Sequence, residues 1–426
     1  MFSSHCVRAC ARFSWAPALC AALPMLLVAQ SVQAQTLTLA EVLDRATTSD
    51  PSVVANAARL QAANAAIMQA DVRPRDVAGF ELEDFAGTGA YSPVGNSQAT
   101  AWYERTWERG GKRDARIGLA QAGVEATSSR NRLRSLDLLA LVQETWVNAL
   151  AAEALIPITE NRLVAAQQVE GEVTRRVGRA LDPLFAGERA RTAVAEARSA
   201  VDRARINARI ARTTLASFWG GTAEFELDPA PFAIINIETV ESAELPDIAL
   251  LKAEREVAGA QMRLSETGNA GDPTGRVGLR HFGQGNDLAF MVGASIPLGN
   301  RAANRGNIAR AQAEAQVVDA EISVLRVQLD REIARLNAER TAIASEIARI
   351  DREILPSAER AVALVRSGFA RGGTAFTFLE VHQAQQAVTD AQERRVELAR
   401  LFHRAGARLD RLNGRHLPLL VNAENR

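Results

Sequence analysis

A chain of 426 residues has length enough for two or three globular domains, but its composition does not supply them. Hydrophobic residues reach 47% while aromatics stay at 5%, so the apolar content is largely Ala, Leu, Val and Ile, which suits helices packed with close axes better than a deep globular core. Basic and acidic residues number 50 each, so nothing marks a nucleic-acid surface.

In residues 1–34, Arg8 and Arg12 precede an apolar run from Trp15 to Ala29, and Val32-Gln33-Ala34 fits a small-x-small cleavage site. The segment reads as a cleaved export signal, since a membrane anchor would be longer and free of Pro17 and Pro24. Cys6, Cys10 and Cys20 all fall inside it, so the mature chain is expected to carry no disulfide or thiolate site. No later apolar run approaches the length of a membrane helix. If this exported chain enters a membrane, it does so as strands.

Thr38-Leu39-Ala40-Glu41 is a capping box that opens a short helix, and Asp50-Pro51 ends it and starts a second, which stops before Pro74. Val77 to Ala86 and Gln98 to Trp107 read as strands joined by a turn at 91–96. Gly110-Gly111 breaks the pattern and a long helix follows to about Arg176, with Pro157 expected to kink it or mark a local irregularity. Gly178 and Pro183 frame a turn, a further helix runs to Phe218, and 219–245 is a connecting segment. The order then recurs: helix 246–267, strands near 275–283 and 286–298, long helix 301–369, a turn at Gly372-Gly373, and helix 376–413 before a C-terminal tail, 414–426.

The recurrence is visible by subtraction. Pro51 matches Pro246 at 195, Gly110 matches Gly299 at 189, Ala120-Gln121-Ala122 matches Ala311-Gln312-Ala313 at 191, and Gly178 matches Gly372 at 194. Such steady offsets indicate two repeats, 35–218 and 246–413.

The second long helix would extend roughly 100 Å at about 1.5 Å per residue, so it needs lengthwise partners. Ile322, Leu325, Leu329, Ile333, Leu336, Ile343, Ile347, Ile350 and Ile354 supply the stripe for them. That alone would suit a solvated coiled-coil rod or a periplasmic scaffold or adaptor without a pore. The strands argue for something else. Leu288 to Leu298 alternates for about the length of a membrane-crossing strand, and Trp102, Tyr103 and Trp107 suit either an interfacial band or ordinary sheet packing. Four strands cannot close a barrel, and open edges are costly in lipid, so other copies of the chain must complete the sheet. Pro297, Gly299, Asn300 and Arg301, with Gly110 in the first repeat, mark the strand-to-helix junctions.

Leu39-Ala40-Glu41-Val42-Leu43 with Asp50-Pro51, Ser295-Ile296-Pro297-Leu298-Gly299-Asn300-Arg301, and Gly368-Phe369-Ala370-Arg371-Gly372 followed by Phe378-Leu379-Glu380-Val381 resemble the TolC-type outer membrane efflux channel family across the mature chain. Asn300-Arg301 through Arg305-Gly306-Asn307-Ile308 is similar to its cobalt, zinc and cadmium efflux branch. The resemblance implies a mainly α fold with β: a homotrimer with four strands per chain in one outer membrane β-barrel, continuous with a periplasmic α-helical barrel. It implies a passive gated duct whose tip faces a periplasmic adaptor and an inner membrane pump of the resistance-nodulation-division class. Glu380 and Gln383 then fall where the family places constricting acids, Glu188 and Arg189 fall near the first-repeat tip, and Gly178, Gly372 and Gly373 mark the hairpin turns. The same duct could serve drug efflux or type I protein secretion.

Enzyme chemistry has no footing in the text. No HExxH, nucleophile elbow, phosphate loop or dinucleotide fingerprint occurs, and His281, His382, His403 and His416 stand apart from one another, so no cofactor or metal site is expected.

Overall fold

The computed structural model describes residues 36–89, 94–237, 245–298, 301–371 and 377–424. The segment read as an export signal, Gly299, Asn300, Gly372, Gly373 and residues 91–93 of the first strand turn lie outside the described residues. From Thr36 onward the chain forms one compact unit.

Helices α1 (Leu39–Ser49) and α2 (Pro51–Ala70) begin as their sequences dictate. The Glu41 carboxylate accepts from the Thr38 N–H at 2.8 Å, and Asp50 caps Pro51 at N1 by accepting from Ser52 N–H at 2.8 Å. After strands β2 (Val77–Glu83) and β3 (Gln98–Thr106), α3 (Lys112–Gly178) and α4 (Leu184–Ala216) form the first long hairpin. The pair β1 (Thr36–Leu37) and β4 (Glu226–Leu227), with the short α5 (Ala230–Ala233), belongs to the connecting region. The second half runs α6 (Pro246–Thr267), β5 (Thr274–Phe282), β6 (Asp287–Ser295), α7 (Arg301–Arg349), a π-turn (Ile350–Ile354), α8 (Leu355–Ala370) and α9 (Phe378–Asn413), and α10 (Leu417–Glu424) follows.

Three details differ from the sequence reading. α3 passes through Pro157 in α geometry, its lost N–H offset by lengthwise packing that places the flanking Leu155 and Ile158 against the main core. The irregularity falls instead in the second long helix. Leu355 N–H bonds five residues back to Ile350 just before Pro356, so the continuous 301–369 helix is in fact two α segments joined by a π-turn. β6 also stops at Ser295 rather than 298. Its partner β5 begins at Thr274, directly opposite Ser295, and Pro297 has no N–H to offer a ladder.

The main core sits where the two halves meet. Leu37, Val42 and Leu43 pack with Leu136 to Leu150 of α3, Ile343, Ile347 and Ile350, and Leu398 and Phe402 of α9. The stripe on the second long helix is buried or half-buried from Ile322 to Ile350, and only Ile354, after the turn in phase, is exposed. A separate small core at the far end joins Val169, Val173, Ala186, Ala190, Phe369 and Val381. By contrast α2 buries none of its residues, and Val54 and Met68 lie open on it.

Candidate functional site

The four longer strands form one antiparallel sheet in the order β2-β3-β5-β6. Register sorts its residues into two faces. Phe80, Ala101, Leu279 and Phe290 form one cross-strand row, and Ala78, Tyr103, Val277 and Val292 the next. This face is apolar and bare: Phe80 is 71% exposed, Leu288 72%, Val292 85% and Phe290 87%. So large a contiguous apolar surface is stable only against lipid or a partner.

The opposite face is polar and internally paired. Arg276 donates to Glu104 at 2.7 and 2.9 Å. Arg280 reaches Glu83 at 2.9 Å, Thr100 at 2.9 Å and Gln98 at 3.0 Å. Trp102 belongs to this face, while Tyr103 and Trp107 belong to the apolar one and stay half exposed near the helical end of the sheet. Among the described residues neither outer edge, β2 or β6, has a partner strand.

Where strands turn into helices, the two halves lock together. Gly110 and Gly111 both adopt positive φ, 71° and 73°, and a Cβ on Gly110 would lie 2.5 Å from the Ala270 methyl. Asp272 accepts from Lys112 at 2.8 Å and from the Arg109 N–H at 2.9 Å. Burial works against its charge, but these bonds outweigh it and hold the carboxyl below the usual carboxylate range. Arg116 forks onto Glu108, keeping that carboxyl low as well, and also donates to the Ala70 and Val72 carbonyls. A Cβ on Gly271 would meet the Pro297 carbonyl at 2.0 Å, so Pro297 packs the end of the last strand onto the α6–β5 connection of its own half. Asn304, in the first turns of α7 after Arg301, donates to Ser265 and Asn269 of the α6 end. Gly110 and Pro297 were singled out by the sequence. Asp272, Lys112, Arg116 and Gly271 were not: the Asp272–Lys112 contact spans 160 residues, and the others depend on how separate elements meet, which leaves no local pattern.

At the far end the first hairpin reverses over 179–183. Leu181 N–H bonds to the Arg176 carbonyl and Ala180 N–H to that of Val177, a Schellman motif with Ala180 at φ 55°. Gly178 is therefore the last residue of α3, and the left-handed position two residues later carries the reversal. Arg176 grips Asp182 with two bonds of 2.8 and 3.0 Å, donates to the Phe369 carbonyl at 2.9 Å, and lies 4.4 Å over the Phe369 ring. Phe369 is fully buried, so the end of α8 is plugged into the first hairpin.

The named aperture residues gather at this end. Ala186 and Ala190 of α4 share the small core with Val381 of α9, which puts the first turns of both helices at this end. Glu188 and Arg189 are exposed on α4, Glu188 pairing with Arg191 at 2.7 Å. Gln383 is exposed on α9. Glu380 is the third helical residue of α9, and its carboxylate accepts from both the hydroxyl and the N–H of Thr377, the latter at 2.8 Å. Those bonds hold its carboxyl below the ordinary range. Thr377-x-x-Glu380 repeats the capping-box text of Thr38-x-x-Glu41, a signal open to sequence inspection. Between the hairpins lies a cavity of about 250 Å³ lined by Arg162, Arg366, His382 and Gln385 among others.

Among the described residues no group of three or more His, Cys, Asp or Glu side chains could hold a metal ion, and no helix is long and apolar enough to cross a membrane.

An apolar-faced sheet open at both edges, continuous with two long helical hairpins, defines the outer membrane efflux channel class. The family described as outer membrane efflux protein matches residues 242–415. The cobalt-zinc-cadmium resistance protein CzcC of Cupriavidus metallidurans is 25% identical over 390 residues, covering 89% of this chain and 90% of that protein. The nickel-cobalt-cadmium resistance protein NccC of Alcaligenes xylosoxydans xylosoxydans is 27% identical, covering 71% of this chain and 68% of that one. The solved outer membrane protein VceC of Vibrio cholerae shares the fold at a TM-score of 0.68 and 20% identity, over 88% of this chain and 96% of that structure. Residues 242–415 thus carry the pattern of the outer membrane efflux protein family, and the fold of the chain is that of the solved outer membrane channels.

Proposed function

We propose that the chain is the exit duct of a tripartite efflux system for divalent heavy-metal cations. Three copies supply four strands each to one barrel, apolar face to lipid and polar face to the lumen. The observation that carries the duct is the sheet itself, with a bare apolar face and two open edges whose backbone groups lipid cannot satisfy. The uncovered α2 offers helical surface to a neighbouring copy in the same way. Residues 35–218 and 246–413 act as two equivalent repeats, joined by 219–245, each carrying one hairpin to the tip.

A periplasmic adaptor and an inner membrane pump of the resistance-nodulation-division class supply energy and direction. The duct is passive and not an enzyme. Its tip, with Glu380 and Gln383 on one helix face of α9 and Glu188 and Arg189 on α4 at the same end, is the aperture, with Gly178, Gly372 and Gly373 at the hairpin turns. Opening is a population shift between two hairpin arrangements biased by adaptor contact.

The names and extent of the two metal-resistance relatives support the cargo. Deleting the chain from its host and scoring growth against cobalt, zinc, cadmium, nickel and a drug panel tests it. Sensitivity to the metals and not the drugs is expected. Sensitivity to drugs alone would move the same duct to a different cargo.

A further inference from the structure

We propose that Trp102 sets the bore of the strand-built part of the duct, folded flat on the wall in a seat provided by Gly79 and closed by Arg276. This rests on the reading of the polar sheet face as the lumen. In the register, Gly79, Trp102, Gly278 and Met291 form one row across that face. The indole lies directly on the backbone of Gly79. A Cβ there would stand 2.3 Å from Cζ2 and 2.4 Å from Cε2 of the ring, nearer than any real contact. On the other side Gly278 leaves room for the Trp102 stem, since a Cβ there would come within 3.1 Å of the Trp102 Cβ.

The ring is then covered. The Arg276 guanidinium stands 4.1 Å from its centroid, within cation–π range, and Glu104 holds that guanidinium with two bonds to one oxygen. The indole therefore has glycine backbone beneath it and a fixed cation above it. A large side chain on a lumenal wall has two options: lie along the wall or stand into the channel. Here two glycines and an ion pair select the first. In a ring of three copies the three indoles share one height, so releasing them would narrow the channel at a single level.

The test uses the purified full-length channel in planar bilayers, with neutral polyethylene glycols of graded size added on the extracellular side only, so that the periplasmic tip does not set the reading. Gly79→Val should expel the ring and exclude polymers that enter the wild type. Adding Trp102→Ala to that variant should restore their entry. Arg276→Ala, which leaves the seat intact and removes the clamp, should add brief partial closures that Trp102→Ala abolishes. If Gly79→Val fails to assemble, the Arg276→Ala pair decides the matter. Unchanged polymer entry in Gly79→Val, a narrowing that Trp102→Ala does not relieve, or quiet currents in Arg276→Ala would each overturn the role of Trp102 while leaving the duct standing. A wild type that forms no channels would overturn both.

Discussion

Glu380 carries two duties on one carboxylate. It caps α9 through Thr377 and it faces solvent at the tip, where three copies would place a ring of negative charge. Because the Thr377 hydroxyl and N–H stabilise the charged form, the ring stays ionised as pH falls into the range where a free carboxylate protonates. Cation block of the channel should accordingly titrate below the usual carboxylate range. Thr377→Val should raise that midpoint, and Glu380→Ala should remove the block, both read from single-channel currents. Block unchanged in Glu380→Ala would take this residue out of the aperture. Ala180 is a second residue with a specific cost. An L-residue with a Cβ at φ 55° is strained, and glycine is not, so Ala180→Gly should stabilise the turn by about 1 kcal/mol, seen as a raised thermal midpoint.

Among the elements, the end of α8 is the most exacting. Phe369 fills the small core of the tip, and its carbonyl and ring both engage Arg176 of the other hairpin. Phe369→Ala should cost about 3–5 kcal/mol locally, part of it cavity. Hydrogen exchange should show this as lost protection in 165–177 and 378–390, with the main core unaffected because the two cores are separate clusters. Equal loss in both cores would mean that the hairpins do not open independently of the body. The π-turn at Ile350–Ile354 lies between those cores, where the second long helix leaves the packing of Ile343, Ile347 and Ile350 and heads for Phe369. The sequence reading ran one helix through this point and past Pro356. A π-turn changes the helical phase by the insertion of one residue, and the exposure of Ile354 is its visible consequence.

Taken as a whole molecule, what was legible in the sequence is what repeats locally: two-residue alternation in the strands, three- and four-residue spacing along the long helices, capping boxes, and a duplicated order of punctuation. The sheet order that puts β3 against β5 is not local. It brings Asp272 to Lys112, Glu104 to Arg276 and Gly278 beside Trp102, and none of these pairs leaves a mark on its own neighbourhood. The turn between Gly178 and Pro183 was legible, but its left-handed position at Ala180 was not, since alanine gives no sign of one. The same sheet order leaves β2 and β6 as open edges among the described residues, and in the proposed barrel those edges meet their counterparts on neighbouring copies. Because Cys6, Cys10 and Cys20 all lie within the segment read as a cleaved export signal, that reading leaves cysteines placed on the two edges to be followed without competition. The decisive measurement is oxidative crosslinking in native outer membranes of chains carrying one cysteine at Glu81 or Glu83 and a second at Ala289, Met291 or Gly293. Covalent trimers at one register of the scan are expected, and monomers at every register would contradict a barrel closed by three copies.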